Sequence, residues 1–242
     1  MKSKSVTVTP VRSAVFHRGD SLFEYLKAQL HGQLEDGAVV AVTSKIVSLA
    51  ENRVAPKEGT TKRALVEKEA GTYLGMGNHG VELTITHGLL IPSAGIDESN
   101  SESGDYILFP EDPFASAAAI GRYLRSEFNL KHLGVILTDS HSSPLRLGVT
   151  GLSLSHWGIK GTQSLVGAPD IFGKELKFTS VNVVDSLATM AVFTMGEADN
   201  RCPLAVIKGA EVEFTEQTSP AEIVVKPEDD LYWPLLKDRI PK

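Results

Sequence analysis

Gly75-Met76-Gly77-Asn78-His79-Gly80 matches the dinucleotide-binding pattern G-x-G-x-x-G letter for letter. Whether the chain is a Rossmann protein turns on what flanks it. The pattern works between a strand and a helix, where glycines let the backbone approach a pyrophosphate held at the helix N-terminus. Here the order is reversed: a helical pattern over Thr61–Tyr73 precedes the glycines. Strand-like stretches Val81–Thr86 and Gly88–Ile91, a hairpin around His87, follow them. The segment therefore reads as a turn. The chain also lacks G-x-x-x-x-G-K-[ST], so any nucleotide site is not a P-loop.

Working outward, helices and strands alternate without forming repeated strand–helix–strand units. Ser5–Thr9 has the alternation of a strand, and Asp20 or Ser21 caps a helix carrying Leu22, Tyr25, Leu26 and Leu30 at helical spacing. Glu35-Asp36-Gly37 is a turn into the continuous apolar strand Ala38–Val42, and Thr43 or Ser44 caps a short helix burying Ile46, Val47 and Ala50. Asp97–Asp105 is an acidic loop; Asp112 and Pro113 open a strong helix to Phe128. Leu133–Leu137 reads as a buried strand ending at Thr138-Asp139. Leu147–Leu154 and Leu204–Ile207 read as strands, and Val184–Met195 as a helix. Prolines at 220, 227, 234 and 241 make Thr215–Lys242 an irregular wrap. This mixture supports an α/β or α+β enzyme-like fold that is not a Rossmann domain.

Composition narrows the class. The 242 residues include 42% hydrophobic and 22% charged residues, values of a folded globular chain rather than a disordered one. A net charge of −6 argues against a phosphate-backbone binder, so no nucleic-acid partner is expected. One cysteine forms no intrachain disulfide and no Cys-based zinc site. The apolar runs are too short to span a bilayer, and MKSKSVTVTPV lacks the apolar core of a signal peptide. The expectation is a cytoplasmic protein with no membrane partner.

Several chemical patterns fail on geometry. Asp139-Ser140-His141 holds the three triad residue types side by side, whereas a triad converges from separate elements. Asp97-Glu98-Ser99-Asn100-Ser101-Glu102 lacks the sixth-position glycine of an EF-hand loop. The seven histidines show no zinc-site spacing, and Cys202 has no evident paired histidine. Three carboxylates remain at the ends of apolar elements. Asp97 follows Ser93-Ala94-Gly95-Ile96, Asp139 follows the strand Leu133–Leu137, and Glu197 follows Met195-Gly196. Hard oxygen donors from separate segments suit Mg²⁺ or Mn²⁺ and hence phosphate chemistry, although each acid taken singly also reads as a solvated loop end.

Segments in order along Val11–Gly209 resemble the coenzyme F420-0:γ-glutamyl ligase family. They are Leu34–Gly37 leading into Val42-Thr43-Ser44-Lys45-Ile46-Val47-Ser48, then Ala94-Gly95-Ile96-Asp97-Glu98-Ser99-Asn100 and Leu108–Pro113. Ile136–Ser140, Asp170–Leu176 and Met195-Gly196-Glu197 with Pro203 complete the match. The resemblance implies an α+β fold with mixed sheets, with a catalytic domain over residues 1–214 and a C-terminal wrapping segment over residues 215–242. It also implies a GTP-dependent (or ATP-dependent) amide ligase that adds L-glutamate to a small-molecule carboxylate acceptor through an acyl phosphate, and a homodimer. It further implies that Asp97 and Asp139 ligate one Mg²⁺ or Mn²⁺, with Ser140 and Glu197 reaching a second. The backbone of Ala14, Val15, Phe16 and His17 would meet the nucleotide, as would Ser44, Lys45, Asn100 and the loop Gly196–Pro203 with Gly196 and Glu197. Lys45 and Arg146 would be catalytic. The chain departs from the family pattern after Asp139, where His141-Ser142-Ser143-Pro144-Leu145-Arg146 replaces a small residue and Gly-Arg, so that only Arg146 keeps its place. Leu49 stands where a lysine is common, and Asn52–His79 is short. These departures keep a folate or pterin acceptor open beside an F420-0-like one. A non-catalytic nucleotide- or metal-binding homologue is the contrasting reading; a purely structural protein with solvated acidic loops would leave the ordered motifs unexplained.

Overall fold

The computed structural model describes residues 5–240. In chain order the elements are β1 (Thr7–Val11), α1 (Leu22–Leu30), β2 (Ala38–Thr43), α2 (Ser44–Ala50), β3 (Val54–Ala55) and α3 (Lys62–Glu69). Next come β4 (Thr72–Met76), β5 (Glu82–Thr86), β6 (Leu89–Pro92), β7 (Tyr106–Ile107), α4 (Pro113–Glu127), β8 (Leu133–Ser142) and β9 (Val149–Trp157). The last are β10 (Thr162–Ser164), β11 (Ser180–Asn182), α5 (Val183–Met195), β12 (Leu204–Lys208) and α6 (Trp233–Leu236). The fold is mixed α+β with several sheets.

Five strands in the order β1-β12-β2-β8-β9 form the main sheet, antiparallel except for the central parallel pair β2 and β8. The unbroken apolar run of β2 follows from burial on both faces. Val40 and Val42 pack with Leu26, Leu30, Ile46, Ile120 and Leu124 under α1, α2 and α4. Val39 and Ala41 pack with Val184, Leu187, Ala188 and Ala191 of α5 on the other face. Leu26, Leu30 and Leu124 are fully buried, and each such side chain contributes about 1.5–3 kcal/mol through removal from water. Ser21 caps α1 by accepting from the Glu24 N–H, and Asp112 caps α4 by accepting from the Ala115 N–H at 2.9 Å, with Pro113 in the first turn.

A smaller lobe over residues 54–107 carries α3, the pair β3–β7 and the sheet β4-β5-β6. Its own core contains Leu65, Val66, Ala94, Ile96 and Tyr106. The glycine-rich pattern of the opening lies here. Gly75 belongs to β4, and Asn78–Gly80 form a single 3₁₀ turn connecting β4 to β5, so the segment is a hairpin connection. The expected helix Thr61–Tyr73 is corrected: it stops at Glu69, and Gly71 lets the chain turn into β4, whose Tyr73 pairs with Thr84. His87 and Gly88 both have positive φ (50° and 78°), the geometry of a tight two-residue hairpin between β5 and β6.

Three further expectations shift. The first strand is Thr7–Val11 rather than Ser5–Thr9. The strand expected to end at Leu137 continues to Ser142, with a register shift between Leu137 and Thr138, because β9 offers ladder partners to the polar run Thr138–Ser142. The strand expected over Leu147–Leu154 is Val149–Trp157. The C-terminal segment has two 3₁₀ turns and the short α6 within an otherwise irregular path. The expectations about the extreme N-terminus and about Pro241 and Lys242 lie outside the described residues. No helix of the described residues is long and apolar enough to cross a membrane.

Candidate active site

A cavity of about 1330 Å³ opens where the carboxyl ends of the parallel strands β2 and β8 meet the smaller lobe, the position at which open sheets present ligand sites. Thr43 and Thr138 are register partners there, so the first turn of α2, directly after β2, delivers Lys45 and the neighbouring β8 delivers Asp139 and Ser140. The smaller lobe delivers Asp97. Ser93, Ala94 and Gly95 all have positive φ (50°, 54° and 73°), an unusual succession for non-glycine residues. The Ala94 N–H donates to the buried Thr84 hydroxyl at 3.0 Å, and Gly95 lies where a Cβ would collide with the Phe109 ring. A reciprocal pair of 2.9 Å backbone bonds then fixes Asp97 against Ile107.

The Asp97 carboxylate meets the Lys45 ammonium at 2.5 Å and accepts from the Ser99 N–H at 2.7 Å. Burial pushes this carboxyl up, but Lys45 and Ser99 outweigh it and hold it below its ordinary value. Asp139 behaves oppositely. Burial raises it to about 7; the negative charges of Asp97 and Glu197 add to that, and the Ser140 N–H and Lys45 oppose it. Glu197 follows α5, whose end is shaped by Gly196 at φ 81°, where a Cβ would meet the Asn200 side chain.

The third wall comes from the main sheet's edge. The Ser13 N–H donates to the Arg201 carbonyl at 3.0 Å and the Thr43 N–H to the Pro203 carbonyl at 2.9 Å, stitching the segments around Ser13 and Arg201 to the end of β2. Tyr25 braces this wall with its hydroxyl, 2.5 Å from the Ser13 hydroxyl and 3.0 Å from the Ala14 carbonyl. His17 crosses the opening to Glu102 at 2.8 Å, and that hydrogen bond and charge raise the imidazole's pKa.

The structure thus brings Ala14, Val15, Phe16, His17, Lys45, Asn100, Gly196 and Glu197 to one cavity with Asp97, Asp139 and Ser140. It does not bring Ser44, which is buried at the start of α2, or Arg146, which lies exposed in the β8–β9 connection. The rest of the loop Gly196–Pro203 lines the cavity as well, and residues that sequence reasoning missed join it: Arg12 and Arg18. Nothing in their local sequence marks them, because only the pairing of β1 with β12 puts Arg12 beside the chain leading out of Arg201.

Among the described residues, no three His, Cys, Asp or Glu side chains converge on one point. The donors present nevertheless fit a divalent cation: carboxylates and a hydroxyl are hard oxygen ligands, and Asp139 is a recessed acid whose ionised form lacks sufficient positive charge around it. Mg²⁺ in nucleotide sites takes one or two carboxylates and completes its shell with water and phosphate oxygens, so pairs of protein ligands suffice.

Comparison with known proteins adds a family. The model of F420-0:gamma-glutamyl ligase matches residues 10–209. Among the most similar relatives is the coenzyme F420:L-glutamate ligase of Archaeoglobus fulgidus, 31% identical over 96% of this chain and 98% of its own length. The proteins of the same name from Methanopyrus kandleri and Methanocaldococcus jannaschii are 30% and 31% identical, each over 88% of this chain and covering 92% and 91% of their own lengths.

Proposed function

This chain belongs to the F420-0:gamma-glutamyl ligase family, and from that premise we propose that it joins the amine of L-glutamate to the carboxylate of a small acceptor at the expense of GTP or ATP. A carboxylate does not react with an amine until its oxygen becomes a leaving group. An acceptor carboxylate oxygen attacks the γ-phosphorus, the bond to the β-phosphate oxygen breaks, and an acyl phosphate forms. The amine nitrogen then attacks the acyl carbon, the bond to phosphate breaks, and the amine gives up a proton as the amide forms.

The observation that carries the reading is the union in one cavity of Asp97, Asp139, Ser140, Glu197 and Lys45, an assembly of hard ligands and a cation suited to phosphoryl transfer. Asp97 and Asp139 would hold one Mg²⁺ or Mn²⁺, and Ser140 and Glu197 a second. Bound there, the ions supply neutralisation of phosphate charge. Lys45, already anchored to Asp97 and to the Ser99 carbonyl at 3.1 Å, adds positive charge beside the transferred phosphoryl group. The backbone from Ala14 to His17 with Asn100 and Gly196 frames the nucleotide, and the cavity of about 1330 Å³ has room for acceptor and amino acid beside it. Arg146 reaches the reaction only if its loop moves or a second subunit approaches. A homodimer fits the exposed apolar side chains Leu145, Leu147, Phe172, Phe178 and Phe193; sedimentation should give twice the chain mass, and a monomer at working concentration overturns that part.

The test is mass spectrometry of products from purified protein with GTP or ATP, Mg²⁺ or Mn²⁺, L-glutamate, and a panel containing F420-0 and folate. A gain of one glutamyl unit on either acceptor supports the ligase and identifies its acceptor. The altered run Ser140–Arg146 is the reason to include folate. No glutamyl addition to any acceptor overturns the proposal.

A further inference from the structure

The acidic loop of the smaller lobe is anchored at its base and almost free at its tip. At the base, Asp97 exchanges 2.9 Å backbone bonds with Ile107, and the Glu98 carboxylate pairs with Lys57 at 2.7 Å and Lys62 at 2.9 Å. The tip, residues 101–103, lies between two positive-φ positions, Asn100 at 53° and Gly104 at 74°. Among the described residues the hydrogen bonds of this tip stay within the loop, from the Gly104 N–H to the Ser101 carbonyl and from the Ser103 hydroxyl to Asp105, apart from one. That one is Glu102, whose Oε2 lies 2.8 Å from Nδ1 of His17 on the opposite side of the cavity opening. A tight turn presents His17: its N–H donates to the Asp20 carboxylate at 2.8 Å, beside Gly19 at φ 94°. Arg18 adds only a 4.0 Å approach to Asp105, its bond at 2.6 Å being to the Asn52 side chain.

We propose that the His17–Glu102 pair is a latch across the cavity mouth, and that the tip of the acidic loop swings when the latch parts to let the nucleotide in or out. This rests on the reading of the cavity as the nucleotide site. The segment of His17 and the loop of Asn100 frame that site from the two lobes, so a bridge between them spans the ligand's way in. Passage needs one wall to yield, and the tip can do so at the cost of a single bond. That bond is weak enough to break repeatedly. The two side chains are 52% and 79% exposed, so water and salt screen their attraction. Asp97 keeps its place when the tip moves, because its own backbone bonds to Ile107 lie at the base of the loop. The latch therefore governs passage and leaves the chemical groups set.

Stopped-flow kinetics read the latch directly. Ribose-labelled fluorescent GTP or ATP is mixed with the full chain and Mg²⁺, and exit is followed on adding excess unlabelled nucleotide. In Glu102→Ala, entry and exit should both accelerate roughly two- to fivefold, the range for one exposed ion pair, while the equilibrium affinity stays within about twofold. Exit is the deciding rate, because loss of an acidic charge by itself would speed the entry of an anion and slow its departure. His17→Ala should accelerate exit to a similar degree, and the double variant no further, since either change alone already opens the latch. Exit that is not accelerated in Glu102→Ala, or accelerations that multiply in the double variant, overturn the latch and leave the nucleotide site standing. A wild type that takes up neither nucleotide overturns the nucleotide reading and the latch with it.

Discussion

At the scale of single residues, Asp97 and Asp139 are one residue type tuned in opposite directions. Asp97 has a lysine at 2.5 Å and stays ionised; Asp139 has burial and two like charges and is raised to about 7. The raised value dictates a sign. A carboxyl with a higher pKa in the folded state than in the unfolded chain contributes stability that is full below the unfolded value near 3.8 and is lost as pH rises through about 7. The metal-free protein should therefore lose Tm from this group between those limits. Asp139→Asn should flatten that dependence and melt slightly higher than wild type at pH 8, because it removes a charge that burial disfavours. Adding Mg²⁺ or Mn²⁺ at pH 8 should raise the wild-type Tm and leave that of the variant unchanged, and the variant should lose turnover. Thermal melts across pH with and without the cation read all of this. A variant that turns over normally, or gains the same cation-induced Tm shift, would show that Asp139 is no ligand.

At the scale of elements, α4 shows how a helix legible in sequence hides the reason for one of its residues. Asp112, Pro113 and the alanine-rich face announce it, but Gly121 looks like a defect, about 1 kcal/mol worse than alanine in a helix interior. In the fold Gly121 lies directly over the indole of the fully buried Trp157, where any Cβ would overlap the ring. Gly121→Ala should consequently destabilise by about 1–3 kcal/mol despite the better propensity, measured by urea unfolding; a stabilised variant would mean that α4 stands farther from β9. The same contrast between local and distant information governs what was readable elsewhere. β2 was legible because burial on both faces writes an unbroken apolar run, and the β5–β6 hairpin because His87-Gly88 supplies two positive-φ positions. The extension of β8 through Asp139 was not, because Thr138-Asp139-Ser140 is polar and becomes strand only through pairing with Leu152 and its neighbours. Nor was the end of α3, since Thr72 and Tyr73 continue its helical pattern and become strand only against Ile85 and Thr84. The acids of the site could be picked out singly from their places after apolar runs. Their meeting, and the presence of Arg12 beside them, depends on strand order.

At the scale of the whole molecule, the C-terminal segment spans what the other elements leave apart. The Thr215 N–H donates to the Gly158 carbonyl at 3.0 Å beyond β9, Glu216 pairs with Arg125 of α4 at 2.7 Å, and Val224 fits against Gly88 at the β5–β6 turn of the smaller lobe. Its fastening is Glu222, which accepts from the Gly161 N–H at 2.9 Å and lies 3.2 Å from Nε2 of the fully buried His156. Burial alone would raise the Glu222 carboxyl, but the Gly161 N–H and His156 outweigh it and leave it lowered. Burial holds the His156 imidazole below its ordinary value of 6.5, with Glu222 opposing, so the ring bonds to Glu222 as a neutral donor. A histidine lowered in this way contributes stability that is full above 6.5 and is lost as pH falls below it. Removing Glu222 leaves the buried Nε2–H and the Gly161 N–H without partners. Glu222→Ala should therefore cost about 2 kcal/mol and expose the segment after Thr215 to limited proteolysis while the main sheet stays folded. Since the segment touches both the main-sheet layer and the hairpin of the smaller lobe that carries Asp97, its release should also loosen the cavity between them and raise KM for the nucleotide more than it lowers kcat. Cleavage after Thr215 that is no faster in the variant than in the wild type would show that Glu222 is not the fastening.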